Sequence, residues 1–411
     1  MFFLYNFFGI VVFIFSPIIF IIRIFLDKEE SSRVLEKFCI YKEKNSIETI
    51  WLHGVSVGEI LSVIPVIKEL EKNNKIKKIL ITSTTKSSAQ ILSKMNLKKT
   101  VHKYFPLDIN FITIKFIDFW KPNLAIFVDS EIWPNMYKNL NNRDIPIILL
   151  NARITLKSFL KWRRFSEFSK SLFSKISLSL PQNKETFNYL KKLGAKNIRI
   201  AGNLKLYGEK KKFNNYKKFK NNFKNRLIWN AVSTHSEEEI YLGKVHKLLK
   251  KEKKNILTII IPRHVNRSNE IISGLDNMGL NTVKHSSKEK IKAKTDIYLV
   301  DTYGETEKFY GLSNLSFLGG SLIKHGGQNP LEAARQGNYI IHGKYISNFK
   351  EVYEILRKLK ISKEIKSVTN MKKIILSKIN KKSKLDGKNK IFSLGKDALK
   401  KNISEINNFI K

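Results

Sequence analysis

One cysteine, Cys39, stands among 411 residues. Its isolation excludes an internal disulfide framework and any cysteine-rich zinc site. Arginine is also scarce for so basic a chain. Of 76 cationic side chains 12 are Arg and 64 are Lys, against 35 Asp and Glu, for a formal net charge of +41. Guanidinium groups are the favoured readers of base edges and forks for phosphate. The lysine excess therefore reads mainly as solvated surface, the rest serving attraction to an anionic membrane at about 1 kcal/mol per Lys near its surface. A nucleic-acid partner is not expected. Hydrophobic residues make up 42% of the chain, which excludes a disordered polycation. Neither the G-x-G-x-x-G fingerprint nor a Walker phosphate loop occurs, so hydride transfer and ATP hydrolysis lose support. No Asp-x-Asp falls at a suitable strand end, and no metal and no cofactor are expected.

The N-terminus lacks two things. No Lys or Arg precedes Arg23, and no Ala precedes Ala89. A cleaved signal peptide has a basic start and a small-residue cleavage site. Met1 to Leu26 is instead almost uniformly apolar, interrupted by Asn6, Ser16, Pro17 and Arg23. An apolar run of about 20 residues is long enough to cross the hydrocarbon core as a helix. The segment reads as a retained membrane anchor. Cations begin on its C-terminal side, which puts the rest of the chain in the cytoplasm. A segment lying in one leaflet and bent at Pro17 is the other reading. Whether the segment spans the bilayer fully is left open by composition.

Beyond residue 26 the length suits about two domains. Apolar strand-like runs alternate with helical patterns. Strands are expected at Ile50–Val55, Ile79–Ser83, Leu124–Val128, Ile145–Leu150 and Ile198–Ala201, then at Leu227–Val232, Ile256–Ile261, Ile297–Val300, Leu315–Leu318 and Tyr339–Ile341. Helical patterns at Ile60–Asn73, Thr186–Leu193, Glu237–Lys250, Asn266–Met278 and Pro330–Gln336 fall between them. Such alternation predicts an α/β chain with parallel sheets covered on both faces. The expected division is an anchor over 1–26, a Rossmann-like domain over 27–208, a second over 209–395, and a C-terminal helix over 396–411 that can pack back on the first domain. Lys210–Asn225 reads as the linker, its lysines (Lys210, Lys211, Lys212, Lys217, Lys218) as solvated.

Ligands of open α/β sheets bind beyond the C-terminal strand ends. Ser56-Val57-Gly58-Glu59 follows the first strand. Glu59 in a first helical turn is kept ionised by the helix dipole and can accept a proton, although Ser-x-x-Glu is equally a capping box. Asp129-Ser130-Glu131-Ile132-Trp133 precedes a helix opened by Pro134; its carboxylates suit proton handling or sugar hydroxyls, or else a cap beside a packing indole. Gly202-Asn203-Leu204-Lys205 offers an ammonium to a phosphate. The second half brings Ser233-Thr234-His235, whose His alone more often serves structure, then Pro262-Arg263-His264, Asp301-Thr302-Tyr303-Gly304-Glu305 and Gly319-Gly320-Ser321. The most specific stretch is His325-Gly326-Gly327-Gln328-Asn329-Pro330-Leu331-Glu332. Its glycines run into a helix whose first residue is expected at Pro330, and the free N–H groups of such a start suit an anion. Glu332 there suits ribose hydroxyls.

Taken in order, these pieces resemble the 3-deoxy-D-manno-octulosonic acid (Kdo) transferases of lipopolysaccharide assembly. The resemblance rests on His53–Glu59, Tyr104–Asp108, Trp120–Asn135, Asn151–Thr155, Gly202–Lys205, Ser233–Glu239, Pro262–His264, Asp301–Glu305 and Gly319–Ala333, and covers about residues 45 to 350. It implies the GT-B glycosyltransferase fold, two facing Rossmann-like domains of which the second holds the donor nucleotide. It implies transfer of Kdo from CMP-Kdo to a lipid A precursor with inversion, on the cytoplasmic side of the inner membrane and in contact with its lipids. Glu59 then resembles the proton acceptor, and Glu131 and Lys205 the groups that stabilise the transition state. Pro262, Arg263, Tyr303, Gly304, Glu305, Asn329, Pro330, Leu331 and Glu332 resemble the CMP-binding segments. The chain departs from the common pattern at Asp129-Ser130-Glu131 for Glu-Thr-Glu, Gln328 for His, Tyr303 for Met and Val265-Asn266 for Pro-Glu. None of these removes a proposed catalytic group. Another GT-B transferase or epimerase using a UDP-sugar is the alternative.

Overall fold

The computed structural model describes residues 1–208, 216–380 and 385–410. The chain divides into two compact units. Unit one is Met1–Tyr207 with Leu394–Lys411, and unit two is Gly208–Ser393.

Unit one is built on six strands: β1 (Thr49–His53), β2 (Ile79–Ser83), β3 (Thr100–Tyr104), β4 (Pro122–Val128), β5 (Ile147–Ala152) and β6 (Leu178–Pro181). They form a parallel sheet in the order β3-β2-β1-β4-β5-β6. Side chains alternate across a strand, and β1 fills both faces. Trp51 enters an aromatic layer with Phe116, Trp120 and Phe127, while Ile50 and Leu52 enter an aliphatic layer with Ile60, Val63 and Ile67. A strand buried on both faces therefore reads as an unbroken apolar run.

Unit two holds β7 (Leu227–Thr234), β8 (Ile256–Pro262), β9 (Thr282–Lys284), β10 (Ile297–Leu299), β11 (Leu315–Leu318), β12 (Tyr339–His342) and β13 (Ser362–Glu364). Its parallel sheet runs β13-β12-β11-β7-β8-β10-β9. In each sheet the first strand lies between neighbours reached in opposite directions. Those switch points are β1/β4 in unit one and β7/β11 in unit two, the places where open α/β sheets form crevices.

Helices α1 (Phe2–Phe25), α2 (Val57–Glu71), α3 (Pro134–Asn141), α4 (Glu238–Lys250), α5 (Leu331–Arg335), α6 (Lys350–Lys358) and α7 (Leu385–Asn407) carry the argument below. Helix α1 is continuous through Pro17, because the Ser16 hydroxyl donates at 2.7 Å to the Phe13 carbonyl, the oxygen that proline leaves without its i+4 donor. One face of α1 lies on unit one. Phe2 meets Phe168, Tyr5 Oη donates to Asp108 at 2.7 Å, Phe13 meets Phe111, and Phe20 meets Phe38. Its other faces, with Phe3, Phe7, Phe8, Ile14, Phe15 and Ile18, are exposed. The far end of α7 also belongs to unit one, where Leu399 and Ile406 enter the aliphatic layer and Glu405 pairs with Arg199 at 2.7 Å. Gly395 is required there, since a Cβ would sit 2.7 Å from the Leu206 carbonyl oxygen.

Three expectations need correction. Ile198–Ala201 is not a strand: Ile198 alone bridges Ser179, beside a four-residue edge strand, and although Ile198 and Ala201 reach the core, Arg199 and Ile200 between them are exposed. The segment Lys210–Asn225 is not linker throughout. Its residues 210–215, with Lys210, Lys211 and Lys212, lie outside the described residues. Tyr216–Asn221 is a helix of unit two, and Phe219 meets Phe309 at a ring distance of 5.3 Å. Helix α5 starts at Leu331, with Pro330 as its N-cap, and is only five residues long.

Candidate functional site

In unit one the β1/β4 switch point gathers the acidic residues. Glu59 is in the first turn of α2. Its Oε2 accepts from the Val55 N–H at 2.7 Å and its Oε1 from the Ser56 hydroxyl at 2.8 Å, while the Glu59 N–H donates to Ser56 Oγ at 3.3 Å. The capping interaction is thus real, yet each carboxylate oxygen keeps a lone pair. Burial raises the pKa of Glu59. The Val55 and Ser56 bonds oppose the rise, and the charges of Glu131 and Asp129 add to it. A carboxylate made more basic in this way is better matched to accepting a proton near neutral pH.

Asp129 follows β4 in a left-handed conformation, φ 63°, and its carboxylate accepts from Lys205 Nζ at 2.7 Å. Lys205 is placed by the turn Leu204–Leu206, where Asn203 Oδ1 accepts from the Lys205 N–H at 2.8 Å and Asn151 Oδ1 from the Leu204 N–H at 2.9 Å. The structure therefore pairs Lys205 with Asp129. Glu131 accepts from the Trp133 indole at 2.9 Å and faces His53 Nε2 at 3.7 Å. His53 is fully buried at the end of β1, stacked on Phe105 with ring centroids 3.8 Å apart and bonded through Nδ1 to Thr82 Oγ1 at 2.9 Å. Burial lowers its pKa, with Glu131 pulling the other way, which keeps a neutral ring at neutral pH. Sequence reasoning assigned His53 no role. Its position as the last residue of a strand, on the switch point, was the signal that topology alone supplies.

In unit two the three expected nucleotide segments follow β8 and β11, which flank β7, and β10, which lies beyond β8. They divide by exposure. Arg263, Tyr303, Gly304, Asn329 and Glu332 are exposed, Tyr303 by 70%, while Pro262, Pro330 and Leu331 are buried. The exposed set can touch a ligand and the buried set holds it in place. Glu305 is already engaged. It accepts from Thr302 Oγ1 at 2.6 Å and Lys308 Nζ at 2.8 Å and meets His285 Nε2 at 3.1 Å. Partial burial pushes its pKa up, but the Lys308 ammonium, the Thr302 bond and His285 prevail and hold it at about 2.

The glycine segment after β11 is fastened by a residue that sequence reasoning left as part of an acidic run. Glu238, 1% exposed in the first turn of α4, accepts from four backbone N–H groups: His235 at 3.0 Å, Gly320 at 2.8 Å, Ser321 at 3.1 Å and Leu322 at 3.0 Å. The donors of the Gly320–Leu322 nest are thus taken by a carboxylate of the chain itself and are not available to a ligand phosphate. Gly319 lets this happen: a Cβ there would lie 2.1 Å from the Ser233 carbonyl oxygen.

Three histidines stand at the same strand ends. The His235 ring lies 4.2 Å from that of His325 and 5.9 Å from that of His264, and the Gln328 amide meets His235 Nε2 at 3.1 Å. Burial lowers the His235 pKa to about 4, assisted by His325, His264, Arg263 and Arg267. An NMR titration should find the His235 ring neutral at pH 7, with a midpoint near 4 and not near the ordinary 6.5. The unfolded chain binds this proton more readily, so the stability it confers is present above pH 6.5 and is lost as pH falls towards 4. Among the described residues no group of three His, Cys, Asp or Glu is arranged to hold a metal ion.

Sequence comparison gives consistent relatives. A family profile described as 3-deoxy-D-manno-octulosonic-acid transferase (kdotransferase) matches residues 32–207. A 3-deoxy-D-manno-octulosonic acid transferase of Rickettsia bellii is 32% identical over 361 residues, covering 86% of this chain and 86% of that protein. One of Haemophilus influenzae is 29% identical over 326 residues, covering 78% and 76%. Among solved structures, UDP-GlcNAc 2-epimerase from Neisseria meningitidis bound to UDP-GlcNAc superposes with a TM-score of 0.55 at 14% identity, covering 86% of this chain and 100% of that one. This last likeness speaks to the fold alone.

Proposed function

The chain belongs to the 3-deoxy-D-manno-octulosonic acid (Kdo) transferase family, a family of glycosyltransferases, and from that we propose that it moves Kdo from CMP-Kdo to a hydroxyl of a lipid A precursor with inversion at the anomeric carbon. The observation that carries the reading is the placement of Glu59, Asp129 and Glu131 at the switch point of one sheet, with Arg263, Tyr303 and Asn329 exposed at the strand ends of the other.

In this reading Glu59 takes the proton of the acceptor hydroxyl as its oxygen attacks the anomeric carbon. The bond from that carbon to the CMP phosphate oxygen breaks, and its electron pair stays on the phosphate. A positioned carboxylate base contributes about 10²–10⁴-fold. Arg263 is the guanidinium placed to meet the charge that grows on the leaving cytidylate. Glu131 and the Lys205–Asp129 pair stabilise charge around the reacting centre, and neutral His53 buttresses Glu131. Tyr303, Gly304 and Asn329 contact the nucleotide, Glu332 its ribose, and Glu305, Pro262, Pro330 and Leu331 fix the segments that do so. No step calls for a metal or a cofactor.

The acceptor is a lipid, and α1 supports a place for the enzyme on the cytoplasmic face of the inner membrane. Its mean hydropathy is 2.6 over the most apolar window, with 11% of that window buried. Contacts spaced from Phe2 to Phe20 along unit one favour a helix held against the body with its other faces in the lipid over one that projects across the bilayer. Replacing Phe7, Phe8, Ile14 and Phe15 together by Ser should move the protein from the membrane pellet to the supernatant while CMP binding is retained. A pellet fraction equal to wild type would overturn that placement.

The activity is tested by incubating the purified protein with a lipid A precursor and freshly generated CMP-Kdo. CMP release that depends on the acceptor is expected. Release at the same rate without acceptor, or none at all, would contradict the reading.

A further inference from the structure

Tyr104–Asp108, one of the stretches that carry the family resemblance, holds none of the groups assigned to the reaction. Its contacts nevertheless lead to Glu131. Phe105 is buried, with its ring 3.8 Å from that of His53 and 4.8 Å from that of Trp133. The Asp108 carboxylate caps α3: Oδ2 accepts from the Asn135 N–H at 3.1 Å and Oδ1 from the Met136 N–H at 2.8 Å. Helix α3 opens at Pro134, which has no N–H, and its N-cap Trp133 supplies no capping bond. Asp108 thus takes the N–H groups of the second and third helical residues, and its own carbonyl accepts from the Asn135 side-chain amide at 2.8 Å.

The same helix start fixes the loop before it. Trp133 Nε1 donates to the Glu131 carboxylate at 2.9 Å, and Tyr137 Oη to the Glu131 carbonyl at 2.8 Å. Glu131 is therefore tied to α3 through both its side chain and its peptide. Asp108 has one more partner. Tyr5 Oη, from the apolar helix α1, donates to Oδ2 at 2.7 Å across 103 residues. Helix α1 lies close on either side of this bond. A Cβ on Gly9 would be 3.8 Å from Ile109, and Lys138 of α3 sits 5.5 Å from the Phe2 ring. Holding α1 on the surface needs only apolar contact, which Phe13 and Phe20 supply. The Tyr5 hydroxyl is aimed instead at the carboxylate that caps α3, and a hydrogen bond to an ionised group is among the stronger ones.

We propose that Tyr5 and Asp108 are positioning residues for the transfer reaction: the hydrogen bond between them makes the seating of α1 on unit one part of what holds Glu131 in place. Neither residue touches the reacting atoms. A helix α1 that left the surface would take a donor from Asp108, loosen the start of α3 and free Glu131 to shift. Turnover then depends on α1 being seated, beyond any effect of that helix on where the enzyme resides. The inference rests on the role given to Glu131 in Kdo transfer.

The test is full-length Tyr5→Phe, which keeps the ring and removes only the hydroxyl. A displacement of about 1 Å can cost about 10²-fold in rate, so a partial loosening should lower kcat about 3- to 30-fold. The KM for CMP-Kdo, CMP affinity and the membrane pellet fraction should stay at wild-type values. In a Glu131→Gln background the same substitution should cost less than about twofold, since changes acting through one group are not additive. Asp108→Asn, which offers one acceptor oxygen to three donors, should give the larger fall. The indole N–H resonance of Trp133, identified by its absence in Trp133→Phe, should shift in Tyr5→Phe even without substrate. Wild-type kcat with an unmoved Trp133 resonance, or equal losses with and without the Glu131 carboxylate, would overturn the inference and leave Kdo transfer intact. A wild-type enzyme that does not turn over CMP-Kdo would overturn the functional reading and the role of Tyr5 together.

Discussion

Glu59→Gln should lower the transfer rate by about 10²–10⁴-fold while the protein stays folded and still binds CMP. The substitution separates the two roles that Glu59 can have. As a cap, its side chain accepts from the Val55 N–H and engages the Ser56 hydroxyl, and a glutamine of the same length can do both. Losing the cap outright, as in Glu59→Ala, costs about 1 kcal/mol, which shows as a small shift in an unfolding midpoint. As a base, Glu59 needs a lone pair that will hold a proton, and the amide has none of useful basicity. A residue that only caps would leave Glu59→Gln at wild-type rates. The raised pKa adds a pH signature. The free-enzyme profile of kcat/KM should fall on the acid side with a midpoint above the ordinary carboxylate value of 4.5, and Glu59→Gln should remove that limb.

Glu238→Ala is expected to be the most destabilising single change near the unit-two site. Four backbone N–H groups share this one carboxylate, and its side chain is buried. A buried donor left without a partner costs about 1–3 kcal/mol. Water entering the space relieves part of the deficit, so a loss of about 3–5 kcal/mol is expected in chemical denaturation. Glu238→Gln should be nearly as damaging, because the amide NH₂ would point at N–H donors and only its oxygen could accept. That separates a cradle of donors from simple packing, for which glutamine would be a good substitute. Under conditions where the variants stay folded, CMP affinity should fall, since Gly320 and Ser321 lead into the turn that ends at Asn329. Stability within about 0.5 kcal/mol of wild type would show that the donors have other partners.

The legible part of the chain was its alternation. Runs such as Ile79–Ser83 and Leu315–Leu318 are buried on both faces of parallel sheets, and the polar residues within them, Thr82, Ser83 and Ser316, are small and fully buried. The short strands β3, β6, β9 and β13 escaped notice because edge positions carry lysine, histidine and serine, as in Thr-Val-His-Lys-Tyr of β3, and pair on one side only. Ile198–Ala201 erred in the other direction: an apolar-looking run that makes a single bridge to the edge strand β6 and leaves Ile200 exposed.

Site residues were legible where backbone chemistry marks them. Ser56 and Glu59 announce a helix start, and the glycines before Asn329 announce a turn. Partners brought together by strand order were not. Lys205 meets Asp129 across 76 residues, and Glu238 meets the loop at Gly320 across 82. Nothing in local spacing joins them. They meet because β5 stands between β4 and β6 and its Asn151 holds the Leu204 N–H, and because β7 adjoins β11. His53 shows the same limit, since one histidine at a strand end carries no message until Glu131 is seen facing it at 3.7 Å.

The most direct test is mass spectrometry of a lipid A precursor after incubation with this enzyme, with CMP-Kdo as donor in one reaction and UDP-GlcNAc in a parallel one. The lipid should gain the mass of one or more Kdo residues in the first reaction, and both lipid and UDP-GlcNAc should be unchanged in the second. An unmodified lipid in the first, or conversion of the UDP-sugar in the second, would contradict the assignment of a cytidylate donor and an alcohol deprotonated by Glu59.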